Sequence, residues 1–318
     1  MNRHESLMPR LIDSTVRTMR AILATLIIAT VTASAAAKKS SKLEEQLKAA
    51  SAAFERGDHV GALRTLDTAV KDHPKSIMPL INRAQLYRFL KRYPKSVADA
   101  TAALKLEPDD FRLYQFRGEE HFRNVQMKEA IRDFDEVIKR RPSQEAHHWQ
   151  RGIAHYYAGQ YAKGRRQFTL HQTVNGNDVE NAVFHFICTA KAIDLATAKK
   201  EFIHISGDSR IPMFEIHRLF AGNMTVEQVL EAARRPSQND ILNRRALTPA
   251  ARVRQEFYAN YYIGLYYESH GNPEKAKEFI FKAAKTADLN GYMGDCARVH
   301  AELLKRAEKK KAQPAKKK

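Results

Sequence analysis

Residues 21–33, AILATLIIATVTA, form an uncharged apolar run between Arg17 and Arg20 on one side and Lys38-Lys39 on the other. Beyond it, apolar and polar positions interleave in helix-length segments until about residue 178. Val179 to Asp194 is apolar enough to read as a buried helix. Ala196 to Ile205 and Thr225 to Arg234 read as two more, with caps at Thr197 and Thr225. Residues 236–250 turn polar and irregular, as a linker would. Tyr292 to Glu308 reads as a last helix, and the closing KKKAQPAKKK is too polar to pack. With 13 glycines and 11 prolines the chain lacks the turn punctuation that many short strands require. The pattern predicts an all-α protein.

Within residues 43–178 the pattern repeats. Pro74, Pro108 and Pro142 are evenly spaced, and the same interval separates Gly118 from Gly152 and Phe134 from Phe168. It also separates the successive small residues Ala62, Ser96, Ala130 and Gly164. Several position classes sharing one period of about 34 residues indicate a repeated helical hairpin. Glycine inside a helix costs about 1 kcal/mol relative to alanine, so Gly118 and Gly152 are expected where a second helix approaches closely. The prolines end the second helix of each hairpin. Repeats are expected at 43–76, 77–110, 111–144 and 145–178, the first and last degenerate. A similar pair returns at 257–290, where Gly264 and Ala276 keep the spacing of Gly118 and Ala130.

The period and residue types resemble the tetratricopeptide repeat. That resemblance implies a right-handed superhelical solenoid of helical hairpins, with a non-repeat insert and a C-terminal capping helix. Two stretches, WQRGIAHYYAGQY at 149–161 and YYIGLYYESHGNPEKA at 261–276, are similar to the new lipoprotein I group of enterobacterial envelope proteins, as is the layout of repeats, insert and late repeat. This second resemblance implies an envelope adaptor, but the lipid-attachment cysteine of that group is missing. The resulting segmentation is 1–37, a signal peptide; 38–178, four repeats; 179–253, a non-repeat helical segment with linker; 254–308, a late hairpin and capping helix; and 309–318, a disordered lysine-rich tail.

The N-terminal run, with Ala33-Ser34-Ala35 as a cleavage signal, has the layout of a secretory leader. It is shorter than the roughly 20 residues that span a bilayer, although an uncleaved anchor stays open. Met1, Met8 and Met19 are all candidate starts. Export to a periplasmic or envelope location follows. Cys188 and Cys296 are too few for a disulfide framework, and whether they pair stays open.

The net charge is +18, and residues 305–318 hold eight basic side chains against one acid. Such a balance attracts anionic polymer or lipid, whereas export argues against nucleic acid. Catalytic signatures are lacking. There is no phosphate loop, dinucleotide glycine motif or zinc spacing of cysteines. His147, His148 and His155, and His204 with Asp208 and Ser209, read as structural, so no cofactor and no enzyme activity are expected.

The expected site is the concave face lined by the first helix of each repeat. It comprises Gln85, Arg88 and Phe89; Arg112, Gln115, Glu119 and Arg123; and Trp149, Tyr156 and Tyr157. Arginines beside aromatics suit a protein or peptide partner that offers acidic and apolar groups together. The tyrosines and Trp149 serve equally well as core. The family's carboxylate clamp does not carry over, because its lysine and asparagine positions hold Ile81, Gln115 and Trp149, then Gln85, Glu119 and Ile153. The alternative is a basic surface protein that grips anionic polymer or lipid through its tail and the pairs Arg234-Arg235 and Arg244-Arg245.

Overall fold

The computed structural model describes residues 37–236 and 246–312. The expected leader, Arg244-Arg245 and residues 313–318 lie outside the described residues. All regular elements described are helical. They are α1 (Ala37–Glu55), α2 (His59–Asp72), α3 (Ile77–Phe89), α4 (Tyr93–Leu106), α5 (Phe111–Arg123), α6 (Met127–Arg140), α7 (Trp149–Tyr157), α8 (Tyr161–His171), α9 (Val179–Ala192), α10 (Leu195–Lys200), α11 (Met213–Phe220), α12 (Val226–Ala232), α13 (Pro249–Ser269), α14 (Pro273–Ala284) and α15 (Gly291–Ala312).

The period is kept residue by residue. Helices α2, α4, α6 and α8 begin at His59, Tyr93, Met127 and Tyr161, and α1, α3, α5 and α7 end at Glu55, Phe89, Arg123 and Tyr157. Each intervening turn places one residue at positive φ: Gly57 at 80°, Lys91 at 56°, Val125 at 61° and Gly159 at 72°. The turn therefore demands a left-handed residue, which glycine adopts freely and valine does not.

The chain divides into two compact units, one up to Glu120 and one from His121 onward, with the boundary inside α5. In the first unit, Leu47, Ala50 and Phe54 of α1 pack on Ala62 and Leu66 of α2 and Leu86 of α3. Leu80, Ala103, Leu104 and Leu113 join α3, α4 and α5. The Ser96 hydroxyl donates to the Ala84 carbonyl at 2.9 Å, which ties α4 to α3 at their crossing.

The second unit has one large core, running from Phe122 to Ala301. At Gly152 an added Cβ would lie 2.7 Å from the Phe168 ring, and at Gly264 it would lie 2.7 Å from Ile280. These glycines are thus where the helices of a hairpin touch. Helix α9 is buried from Val179 through Thr189 except at Glu180, so its sequence is apolar on nearly all sides.

The segment between the repeats and the late hairpin departs from expectation in four places. Helix α10 stops at Lys200, well before Ile205, because Asn177 ties down the next backbone: its Oδ1 accepts from Ser206 N at 2.9 Å and its Nδ2 donates to Gly207 O at 3.0 Å. The cap of α10 is Asp194, which accepts from Thr197 N at 2.7 Å, and not Thr197 itself. Helix α11 was not foreseen. Helix α13 starts at Pro249 behind a Thr248 cap, inside the expected linker. Thr225 does cap α12, in a reciprocal pair with Gln228. The last helix runs to Ala312, so residues 309–312 of the lysine-rich stretch are helical.

Candidate functional site

In the first unit, α3 and α5 carry six of the ten expected site residues. Arg88 donates from Nε to Glu120 Oε1 at 2.6 Å, and its Nη2 lies 3.5 Å from Glu119 Oε2. Its guanidinium sits 4.6 Å from the centre of the Phe116 ring. Its Nη2 is buried without a hydrogen-bond acceptor. Gln115 donates to Glu119 at 3.1 Å. Arg112 is exposed and forks onto Asp110, with Nε–Oδ1 2.9 Å and Nη2–Oδ2 2.7 Å. The hydrogen bonds from Arg112 hold the Asp110 carboxyl below its usual range. Gln85 is half-buried. Phe89 packs at 4.9 Å on Phe54 and at 5.1 Å on His59, so it closes the apolar cluster of α1 to α3.

The other four residues lie in the second unit and are engaged by the chain's own later helices. Arg123 is buried; it donates to Asp295 Oδ2 at 2.7 Å and sits over Tyr292 of α15. Trp149 meets Tyr292 edge to face at 5.0 Å. The buried Tyr156 donates to Glu268 Oε2 at 2.7 Å. Tyr157 is 2.8 Å from the Tyr261 hydroxyl and 3.3 Å from the Cys296 carbonyl. Glu268 also meets Lys191 at 3.4 Å and His300 at 3.3 Å. This polar cluster, with Tyr156 and His300 buried and Glu268 and Lys191 partly exposed, joins α7, α9, α13 and α15. Burial raises both tyrosine hydroxyls well above their ordinary range and lowers His300. The aromatic positions of repeat four thus belong to the core, which was the other reading of these residues. Their partners lie far downstream in the chain, beyond any local sequence pattern.

Sequence reasoning missed a series of arginines. Arg83 of α3 grips Asp99 of α4 with two bonds, 2.8 and 2.7 Å, and reaches Asp67 of α2 at 2.7 Å. Arg151 of α7 reaches Asp135 of α6 at 2.7 Å and Gln167 of α8 at 2.9 Å. Arg117 of α5 reaches Thr101 of α4 at 3.4 Å. These arginines stand one repeat apart, and each partner is 16 positions away, so the signal was present in the sequence. It marks a repeated staple between neighbouring helices. The histidines form a second series: His121 Nδ1 is 2.8 Å from Gln126 Oε1, and His155 Nδ1 is 2.9 Å from Gln160 Oε1.

Among the described residues no cluster of three or more histidine, cysteine or acidic side chains is placed to hold a metal. Cys188 and Cys296 are buried free thiols whose burial raises their pKa. No described helix is long and apolar enough to cross a membrane.

Two family models match, both described as tetratricopeptide repeat, over residues 46–76 and 81–145. No curated protein matches the chain. The likeness to the new lipoprotein I group therefore rests on its two stretches and the layout alone. Among solved structures, a tetratricopeptide repeat protein from Parabacteroides merdae is 14% identical; the match covers 82% of this chain and 98% of that one, with a TM-score of 0.48. The C-terminal part of a repeat-containing protein from Cytophaga hutchinsonii is 14% identical over 90% of this chain and 96% of that one, at 0.43. MamA from Desulfovibrio magneticus is 20% identical over 51% and 91%, at 0.46. With helix boundaries recurring at one fixed interval and two models matching, residues 46–76 and 81–145 of this chain are tetratricopeptide repeats.

Proposed function

We propose that the protein is an exported, non-catalytic scaffold that holds a protein or peptide partner against α3 and α5. The supporting observation is the mix of side chains that α3 and α5 bring together in the first unit. There Arg88 lies among the half-buried Phe116, Gln115 and Glu119, and Arg112 stands exposed at the edge. Repeats of this kind stack to bury their own faces and leave an extended surface for binding. The mix of cation, amide and aromatic suits a segment with acidic and apolar side chains. Export rests on the leader-like residues 17–37, and a place in the cell envelope rests on that together with the layout of repeats.

The test is affinity capture from envelope extract at low and high salt, using the intact chain and Arg88→Ala and Arg112→Glu variants. Partner binding on this face should survive raised salt and fall in both variants. A second reading, attachment to an anionic polymer or lipid, is favoured by the exposed lysines 309–311 on the last turns of α15. Binding of that kind collapses as salt rises. If removal of residues 309–318 abolishes capture while the two arginine variants retain it, the face on α3 and α5 is not the site.

A further inference from the structure

Between α7, α8 and α9 of the second unit lies a cavity of about 220 Å³. Its body is aromatic. Trp149, Phe168 and Phe184 line it, and the two phenylalanines stack at 5.4 Å. One polar atom is left without a partner at its wall. Asn181 is 3% exposed, and its Nδ2 donates to Phe168 O at 3.2 Å and to Gln172 Oε1 at 3.1 Å. Those two acceptors identify the nitrogen end of the amide, so Oδ1 is the other end, and it has no hydrogen-bond donor. A buried acceptor without a donor is destabilising, and a ligand that brings a donor removes the penalty.

The rim is acidic. Asp178 and Glu180 line the cavity, and Asp208 adjoins them through Arg210. Arg210 meets Asp208 at 2.6 Å, Glu180 at 3.1 Å and Asp178 at 3.9 Å. Three carboxylates therefore share one guanidinium, and the rim keeps an excess of negative charge. Burial pushes the Glu180 carboxyl up to about 7 despite Arg210. A second cation at the rim would favour its charged form.

We propose that this cavity is an anchor site for an arginine side chain carried by a protein partner. The planar guanidinium enters first, lies against Trp149 and donates to Asn181 Oδ1 and to Glu180, and the hydrocarbon stem packs along the aromatic wall on its way out to the partner. Arginine suits the site better than lysine because its flat, multiply donating head both stacks on an indole and serves several acceptors at once. The cavity is built from the second unit alone and does not depend on the face of α3 and α5.

Trp149 is the sole tryptophan of the chain, so its emission reports occupancy directly. The experiment titrates the intact protein with N-acetyl-arginine methylamide, the uncharged citrulline analogue and the leucine analogue. The arginine probe should shift Trp149 emission saturably, the citrulline probe should bind about tenfold more weakly, and the leucine probe should have no effect. Glu180→Gln should erase the difference between arginine and citrulline, and Asn181→Leu should weaken both, with helix content checked by circular dichroism. Arg88→Ala should leave the signal unchanged even if it abolishes partner capture. The proposal falls if the arginine probe gives no saturable shift, or if the leucine probe binds as well as arginine. Both outcomes are read on the unmutated chain and do not depend on whether a variant folds.

Discussion

Arg83 and Asp99 face each other across the α3–α4 hairpin with two parallel hydrogen bonds, of 2.8 and 2.7 Å, and Asp99 is almost wholly shielded from water. A carboxylate held there loses its compensation if the arginine goes. Arg83→Ala should lower stability by about 3 kcal/mol, because it leaves a buried charge unpaired. Asp67→Ala removes only the half-exposed partner and should cost about 0.5 kcal/mol. Urea unfolding of the two variants measures the contrast, and equal effects would show that the staple is not centred on Asp99.

Gly152 lies against the ring of Phe168, with 2.7 Å available to a methyl group. Gly152→Ala should destabilise the second unit by about 1–3 kcal/mol through overpacking. Adding Phe168→Leu in the same chain should recover part of that loss. A double-mutant cycle with no coupling would separate the two residues.

Lys91 and Val125 occupy the turn position that Gly57 and Gly159 fill in the first and fourth repeats. Lys91→Gly relieves a left-handed lysine and should stabilise the first unit by about 1 kcal/mol. The reverse change, Gly159→Val, should destabilise by about the same amount. Thermal unfolding midpoints moving in opposite directions would check both.

Burial pulls His155 and His185 down to about 4, from an ordinary 6.5. Between those values the unfolded chain binds more protons than the folded one, so the stability they contribute is present above about 6.5 and is lost as pH falls toward 4. Glu180, raised to about 7, acts with the opposite sign: the folded state holds its proton, so stability falls as pH rises from the ordinary carboxyl range to 7. Two histidines outweigh one carboxyl, so the urea midpoint should drop between pH 6.5 and 4. His155→Gln should flatten that drop and Glu180→Gln should steepen it.

The repeats were legible because the same contact recurs once in every hairpin. Gly152 has to be small for one local reason, the Phe168 ring, and that reason leaves a trace in the sequence. The arginine staple left an equally clear trace at 83, 117 and 151, hidden only because charged positions read as solvent-facing. Helix α11 and the early end of α10 were not legible. They are settled by Asn177 and by His217, whose Nε2 is 2.9 Å from Ile203 O, and these ties follow no period. Tyr156 and Tyr157 looked identical in sequence to groove residues. Glu268 and Tyr261, far downstream, decide that they are core.

The Arg123–Asp295 bond spans 172 residues of chain, and the Arg298–Arg123 carbonyl bond spans 175. During synthesis, the first hairpins can close as soon as they leave the ribosome, since their ties reach back only a short way. The aromatic wall of Phe122, Trp149 and Tyr157 stays bare until Tyr292 and His300 have been made. Such long loop closures are slow, and the exposed surface is prone to aggregate while it waits. A chain cut short before residue 291 would carry this patch permanently, which makes α15 the element that closes the second unit.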